Sequence, residues 1–223
     1  MSGSAAEVVH RAGAVIFDCD DTVLATARTR WPVLIATARS FGVGLTEDTI
    51  RRAWGSAFDR LIRNLVPTVD HGEFVARYRV AMRGTRPEAT TGATDLLAHL
   101  AARSTRMEIV TSSSRAVITQ DLDELHLTGY FARIYAYEET GFHKPDPRVL
   151  DVVIDNLVRN GHALPELVYI GDSVRDFEVA AAQAVEFVAV LSGLDSAADF
   201  MAAGLSEDRI VADLAQLVYR GEP

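Results

Sequence analysis

The chain has 223 residues, 48% of them hydrophobic and 24% charged, which suits one substantial globular domain, alone or with a smaller insert. Its net charge of −9 argues against general nucleic-acid binding, which needs a basic face. We expect no membrane span, because no apolar run is long enough, and no secretory signal, because the small and polar start has no basic end followed by an apolar stretch. The single cysteine, Cys19, favours a cytoplasmic protein.

Short apolar runs that end in polar clusters predict the strands of a sheet. They lie at residues 12–17, 107–110, 167–170 and 186–191, with a short edge strand at 209–211. Apolar residues at helical spacing lie between these runs and after the last one, at 94–102, 116–125, 148–157, 174–184 and 213–219. This alternation predicts an α/β fold with a parallel sheet and helices on both faces. Ligands of such sheets bind beyond the carboxyl ends of the strands.

Residues 25–88 break the alternation, because they contain helical patterns and no convincing strand. The helical segments are 29–41, 46–65 and 71–82. The region holds 11 arginines and 6 acidic residues, which favours a small anionic ligand nearby, although solvated helix faces would explain the arginines as well. An insert directly after the first strand would lie above the strand ends as a lid. We therefore predict a core of residues 1–24 and 89–223 with a helical cap of residues 25–88.

Asp18 and Asp20 follow the first predicted strand. Because side chains alternate along an extended chain, the two carboxylates share a face and repel, so one is protonated or a cation is present. Beside Mg²⁺, an ionised Asp18 can attack a phosphoryl group, while Asp20 protonates the leaving oxygen and later activates water. A turn or helix cap rich in aspartate gives the same pattern, so the pair alone leaves both interpretations open.

Lys144 is the only lysine among 22 basic residues. It stands directly before Pro145, which keeps it out of the helical conformation, at the mouth of a helix that begins near Asp146. A compact ammonium there can neutralise charge on Asp18 and on a transferring phosphoryl group. Chance survival of one lysine is the alternative, and the neighbouring His143 fits a surface role as well as a contact with substrate.

Polar groups also follow the other predicted strands. Thr111 offers a hydroxyl and Ser112 a backbone N–H at the start of a helix, which suits a phosphate oxygen but also an ordinary helix cap. Asp172 is a hard oxygen ligand for Mg²⁺. Asp176, one helical turn later on the same face, can support the site by a hydrogen bond or can simply be an acidic residue in a first turn.

Together these residues resemble the haloacid dehalogenase-like hydrolase superfamily, whose four motifs occur here in order over almost the whole chain. The motifs are Asp18-Cys-Asp-Asp-Thr22, Thr111 after an apolar strand, Lys144 in Lys-Pro-Asp-Pro, and Gly171-Asp-Ser-Val-Arg-Asp176. The resemblance implies a Rossmann-like core with the small helical cap of the phosphoglycolate phosphatase-like and β-phosphoglucomutase-like branch. Asp20 favours phosphate chemistry, because the dehalogenases lack this second acidic residue.

The resemblance also implies roles for the site residues. Asp18 is the nucleophile, and Mg²⁺ is held by Asp18, the backbone carbonyl of Asp20, and Asp172. Thr111 and Lys144 hold the phosphoryl oxygens.

The resemblance also bears on Asp21 and on residues 53–57. Asp21 stands where the family often has glycine, and we expect its carboxylate to cap the following segment. Residues 53–57, with Trp54 and Gly55, resemble the substrate-specificity loop of the cap, and Arg51 lies close by in the sequence. A turn around a core Trp54 fits this segment equally well.

The implied function is that of a magnesium-dependent phosphatase, a phosphoric monoester hydrolase that works through an aspartyl-phosphate. Its substrate would be a small phosphorylated metabolite, with a phosphoglycolate-like compound as the first candidate. One alternative is a sugar-phosphate mutase of the same branch, and another is a catalytically silent binding protein, which we would expect to have lost a motif. We expect neither nucleic acid nor a membrane as partner, and the sequence leaves the oligomeric state open.

Overall fold

The computed structural model describes residues 3–54 and 58–219, and its centre is one parallel sheet. The strands are β1 (Ala14–Phe17), β2 (Arg106–Val110), β3 (Arg133–Tyr135), β4 (Leu167–Gly171), β5 (Glu186–Val190) and β6 (Ile210–Val211). Their order across the sheet is β3-β2-β1-β4-β5-β6. β1 therefore lies between β2 and β4, so the three strands that precede the predicted site residues are neighbours.

Helices cover both faces of this sheet and also form the insert. They are α1 (Ala5–His10), α2 (Thr26–Ser40), α3 (Glu47–Ala53), α4 (Phe58–Leu65), α5 (His71–Met82), α6 (Ala93–Ala102), α7 (Arg115–Glu124), α8 (Tyr137–Thr140), α9 (Asp151–Arg159), α10 (Val174–Ala182) and α11 (Ala197–Ala202). Val15 and Phe17 of β1 share a buried cluster with α6 and α7, whereas Ala14 and Ile16 share one with α9 and α10. The predicted α/β fold is confirmed. Within the described part of the chain, every helix is too short or too polar to cross a bilayer.

Helices α2 to α5 have a hydrophobic core of their own, separate from the two clusters that flank the sheet. Its largest buried side chains include Trp31, Leu34 and Phe74. The chain enters and leaves this layer at adjoining points, because the Ala25 N–H donates to the Glu88 carbonyl at 2.8 Å. The all-helical cap is thus confirmed, while its boundaries at residues 25 and 88 stay a prediction.

Several elements differ from the prediction. The single helix predicted over residues 46–65 is two helices, α3 and α4, because the backbone at Trp54 is extended and ends α3. The predicted helix at 213–219 is only a 3-10 turn over Leu214–Leu217. β3 and α1 were not predicted: β3 has three residues, which is too short for a periodic signal, and α1 begins at a capping box on Ser4.

The separate cap core leads to a stability prediction. Phe74 is fully buried in that core, whereas Val80 on the same helix is 61% exposed. We expect Phe74→Ala to lower the free energy of unfolding of the cap by about 3–5 kcal/mol, and Val80→Ala to change it by less than about 0.5 kcal/mol. Urea unfolding followed by tryptophan fluorescence measures both, because the two tryptophans, Trp31 and Trp54, lie in the cap. Similar small effects from both variants would contradict a cap core centred on Phe74.

Candidate active site

The carboxyl ends of β1, β2 and β4 meet at one edge of the sheet, and Asp18, Thr111 and Asp172 are the residues that follow them. The Asp18 N–H donates to the Ile170 carbonyl at 2.9 Å, and the Thr111 N–H donates to the Tyr135 carbonyl at the same distance. The hydrogen bonds of the sheet therefore continue one residue beyond each of these two strands. All three residues are buried. Because each directly follows one of three neighbouring strands, the backbone of the sheet determines where their side chains meet.

Lys144 lies between two carboxylates. Its ammonium contacts an oxygen of Asp18 and lies 2.6 Å from Oδ1 of Asp176. Burial opposes the charge of Lys144, but Asp176 and Asp18 outweigh burial and raise the pKa of the lysine well above its usual value. The Tyr169 hydroxyl donates to Asp176 at 2.6 Å, and the Ser112 hydroxyl accepts the Lys144 N–H at 3.3 Å. Asp176 thus lies behind the lysine, which is the arrangement that its predicted supporting role requires.

Asp18 and Asp172 face each other across the hydroxyl of Thr22. Its Oγ1 lies 3.4 Å from Oδ2 of Asp18 and 3.4 Å from Oδ1 of Asp172. Burial raises the pKa of both aspartates; for Asp18 the ammonium of Lys144 opposes this shift, whereas Asp176 adds to it. Oxygen atoms of Asp18, Asp172 and Asp176 all lie within 4.8 Å of one another.

This donor set fits Mg²⁺. Three buried carboxylates and one ammonium leave excess negative charge, and carboxylate oxygens are the ligands that Mg²⁺ prefers. Asp176 accepts short hydrogen bonds on both oxygens, from Tyr169 at 2.6 Å and Ser173 at 2.5 Å. Oδ2 of Asp18 and Oδ1 of Asp172 have only the Thr22 hydroxyl at 3.4 Å within the described part of the chain, so these two oxygens are the more available to a cation.

The loop after β5 holds Asp172 from the other side, which the sequence did not indicate. The Leu194 N–H donates to Oδ2 of Asp172 at 3.0 Å. A Cβ at Gly193 would lie 1.8 Å from the same oxygen, so only glycine allows this approach. A Cβ at Gly171 would likewise lie 2.7 Å from Cβ of Asp176.

Asp20 is held by hydroxyl groups from both layers. Thr26 of the cap helix α2 donates to its Oδ1 at 2.8 Å, and Ser113 of the core donates to its Oδ2 at 2.6 Å. Thr111 donates to Oδ2 at 3.4 Å. The sequence drew attention to Thr111 and missed Thr26 and Ser113, because hydroxyl residues are common at helix starts. A residue of the cap therefore contacts the carboxylate that we expect to move protons.

Asp21 caps the first helix of the cap, as expected. Its Oδ1 accepts the Ala27 N–H at 2.7 Å in the first turn of α2. Its Oδ2 is buried with no hydrogen-bond partner among the described residues. Burial raises the pKa of Asp21 to about 7, with the bond from Ala27 opposing and the charges of Asp20 and Asp18 adding to the rise.

The described specificity residues of the cap contact the cap core and the loop after β5. The Trp54 ring packs edge-on against Trp31, with 5.5 Å between ring centroids, and contributes to the cap core. Arg51 donates to the Leu194 carbonyl at 2.7 Å and so connects the cap to the loop after β5. Gly55 lies outside the described residues. The contacts of Trp54 and Arg51 link parts of the fold, and their role in specificity stays a prediction.

Comparison with known proteins gives one family. Residues 15–190 match the family model described as haloacid dehalogenase-like hydrolase, a span that includes all four motifs. A phosphoglycolate phosphatase from Agrobacterium fabrum (strain C58) is 26% identical over 215 residues, covering 91% of this chain and 89% of that protein.

Solved structures agree in fold. A protein from Bacteroides fragilis, assigned to the haloacid dehalogenase-like hydrolases, has 28% identity and a TM-score of 0.77, covering 92% of this chain and 99% of that one. A protein from Haemophilus somnus 129pt, described as a predicted phosphoglycolate phosphatase, has 14% identity and a TM-score of 0.80. The match covers 93% of this chain and 97% of that one.

Asp21 leads to a prediction about pH. Its pKa is about 7 in the fold against 3.8 for a free carboxyl, so between these values the folded protein binds a proton that the unfolded chain releases. The stability from this group is therefore complete at low pH and is lost as pH rises toward 7. Asp21→Asn keeps an acceptor for Ala27 and removes the titration. Relative to the parent, its free energy of unfolding should rise by about 2–4 kcal/mol between pH 4 and pH 7.5.

Chemical denaturation in EDTA across this pH range measures the difference. Asp155→Asn is the matched control, because the Asp155 side chain is 68% exposed and pairs with Arg159 across the helix surface. Parallel pH profiles for Asp21→Asn and the parent protein would show that Asp21 is not the titrating group.

Proposed function

The chain belongs to the haloacid dehalogenase-like hydrolases, and we propose that it hydrolyses a small phosphorylated metabolite with Mg²⁺ through an aspartyl-phosphate at Asp18. The family match and the relatives confirm what the motifs predicted: the superfamily, its branch with a helical cap, and the enzyme class, which is a phosphatase. The observation that carries the mechanism is the contact of Asp18 with Lys144, the only lysine of the chain, whose side chain is 8% exposed.

Asp18 is the nucleophile of the proposed first step. One carboxylate oxygen forms a bond to phosphorus while the bond from phosphorus to the ester oxygen breaks. Lys144 neutralises charge on the phosphoryl oxygens, Thr111 donates a hydrogen bond to them, and Asp20 gives its proton to the leaving oxygen. Asp20 then takes a proton from water, whose oxygen attacks the phosphorus of the aspartyl-phosphate. Phosphate leaves and Asp18 is restored as a carboxylate.

Mg²⁺ would be held by Asp18, Asp172 and the backbone carbonyl of Asp20. When bound, it supplies the positive charge that lets an anionic carboxylate approach an anionic phosphate. The side chains of Asp18 and Asp172 support this assignment, because they are buried, face each other across the Thr22 hydroxyl and bring carboxylate oxygens within 4.8 Å of one another.

The cap would exclude bulk water and large substrates during the reaction. The Thr26 hydroxyl supports this role, because it joins the cap directly to Asp20. The relative from Agrobacterium fabrum is named for phosphoglycolate, and a phosphoglycolate-like compound is accordingly our first candidate for the substrate.

A sugar-phosphate mutase remains the alternative prediction. It would use the same residues and return the phosphoryl group to a sugar instead of to water. A requirement for a sugar bisphosphate as activator would favour the mutase, whereas steady release of phosphate without one favours the phosphatase. The catalytically silent alternative is set aside, because the residues of all four motifs come together at the strand ends.

The covalent mechanism predicts different outcomes for the two aspartates. Asp18→Asn should abolish Mg²⁺-dependent release of phosphate from p-nitrophenyl phosphate, because no acceptor is left. Asp20→Asn should slow turnover by about 10²–10⁴-fold and let the aspartyl-phosphate accumulate, because water is no longer activated. Phosphate release and acid-stable labelling by ³²P-phosphate esters measure these effects, and circular dichroism checks the fold. Near-normal turnover by Asp18→Asn would rule out the covalent route.

The metal assignment predicts a shift in stability. Mg²⁺ binds the folded protein, so MgCl₂ should raise its thermal midpoint and EDTA should reverse the rise. Asp172→Asn should reduce this shift by most of its size, because it removes one of two carboxylate ligands. Asp155→Asn, which changes an exposed carboxylate, should leave the shift intact. An unchanged shift in Asp172→Asn would place the cation elsewhere.

A further inference from the structure

One arginine of the cap differs from all the others in burial. Residues 25–88 contain 11 arginines, and the structure describes every one of them. Ten are exposed, whereas the side chain of Arg30 is only 13% exposed. Ten of these arginines are therefore at the solvated surface, and Arg30 alone takes its charge into the interior.

The position of Arg30 on its helix directs it toward the active site. Arg30 follows Thr26 by four residues on α2, so the two side chains lie on the same face of the helix. The Thr26 hydroxyl donates to Asp20 at 2.8 Å, which fixes that face toward the proposed general acid. Arg30 is thus a cation on the wall of the cap next to Asp20.

Most N–H donors of the Arg30 guanidinium make no hydrogen bond within the described part of the chain. It contacts the carboxylate of Asp121 on α7, and this is its only hydrogen bond within the described part of the chain. Arginine carries five N–H donors in a planar fork that matches a carboxylate. Burial opposes the charge, but the carboxylates of Asp20 and Asp121 raise the pKa of Arg30, so the fork stays protonated.

Tyr78 borders the same group of charges. It lies on α5, is 8% exposed, and interacts electrostatically with Arg30, Asp121 and Asp20. Burial raises its pKa to about 12, so the phenol keeps its proton and remains a neutral hydrogen-bond donor. Tyr78 therefore adds a neutral, buried phenol to the group of charges around Arg30.

We propose that Arg30, with Tyr78 beside it, binds an anionic group on the leaving side of the substrate, so that the enzyme prefers phosphate monoesters of short hydroxy acids. The inference rests on the proposed function, because Asp20 must contact the leaving oxygen. The atoms beyond that oxygen then extend toward the cap, where Arg30 is the buried cation. Because Arg30 lies next to Asp20, only a short leaving group can have its ester oxygen at Asp20 and its carboxylate at Arg30.

Three probes whose leaving groups share a two-carbon chain and differ in charge test this preference. They are 2-phosphoglycolate, ethyl phosphate and phosphoethanolamine, whose leaving groups are anionic, neutral and cationic. We expect kcat/KM to fall in that order for the parent enzyme. In Arg30→Gln, the ratio of kcat/KM for 2-phosphoglycolate to that for ethyl phosphate should fall by about ten- to a hundredfold. Arg30→Lys should lose less, because it keeps the charge and loses only the fork.

Two further variants separate local binding from other effects. Arg63→Gln removes the same charge from an exposed position of the cap, and the ratio should not change. Asp121→Asn removes the partner of Arg30 and leaves the fork, so the ratio should stay the same or rise. If Arg30 only ties the cap to the core, Arg30→Gln and Asp121→Asn will instead lower kcat/KM in equal proportion for all three probes. That outcome would overturn the proposal.

The same assay keeps the two proposals apart. No hydrolysis of the three probes or of p-nitrophenyl phosphate with Mg²⁺ would refute the proposed function. Hydrolysis of all of them by the parent enzyme without a preference for the anionic probe would refute only the role of Arg30. If Arg30→Gln does not fold by circular dichroism, the ratio in Arg30→Lys decides, and an unchanged ratio there counts against the proposal.

Discussion

The crowding of carboxylates at the ends of the central strands is the constraint on which the rest of the site depends. Asp18, Asp172 and Asp176 are buried within a few ångströms of one another, and like charges so placed are costly unless they are compensated. The fold supplies one lysine, Lys144, between two of them. Because one ammonium does not balance three carboxylates, the arrangement is suited to a divalent cation and to a substrate that arrives with it.

The remaining polar groups keep each carboxylate in one orientation. Thr22 lies between Asp18 and Asp172, the loop at Gly193 supports Asp172, and hydroxyls from cap and core hold Asp20. These partners come from separate elements, so the orientation of each acid depends on the whole sheet edge being assembled. The two aspartates of the first motif therefore differ in surroundings: Asp18 contacts an ammonium, whereas Asp20 accepts hydrogen bonds from hydroxyl groups.

Strands that are buried along their length, and site residues that belong to motifs in a fixed order, could be predicted from the sequence. β1 is buried at all four positions, so its apolar run was visible, as were the acids that follow it. Contacts between distant segments were not visible. Nothing in the sequence places Gly193 against Asp172, and nothing distinguishes Arg30 from ten solvated arginines, because a weakly amphipathic helix does not show which face it buries. Nearness in the sequence to residues 53–57 suggests that Arg51 helps to set specificity, whereas in the structure Arg51 donates to the Leu194 carbonyl.

The adjoining entry and exit of the cap have a consequence for how such a protein can change. The linkers at Ala25 and Glu88 are joined by a backbone hydrogen bond, and the strand residues on either side of the insert belong to the sheet. Because the two ends of the insert adjoin, the insert can be lengthened, shortened or exchanged without shifting the register of β1 against β2. Under the proposals made above, the chemistry of the sheet edge and the choice of leaving group would evolve at different rates, with the contact of Thr26 with Asp20 as the point at which the two are coupled.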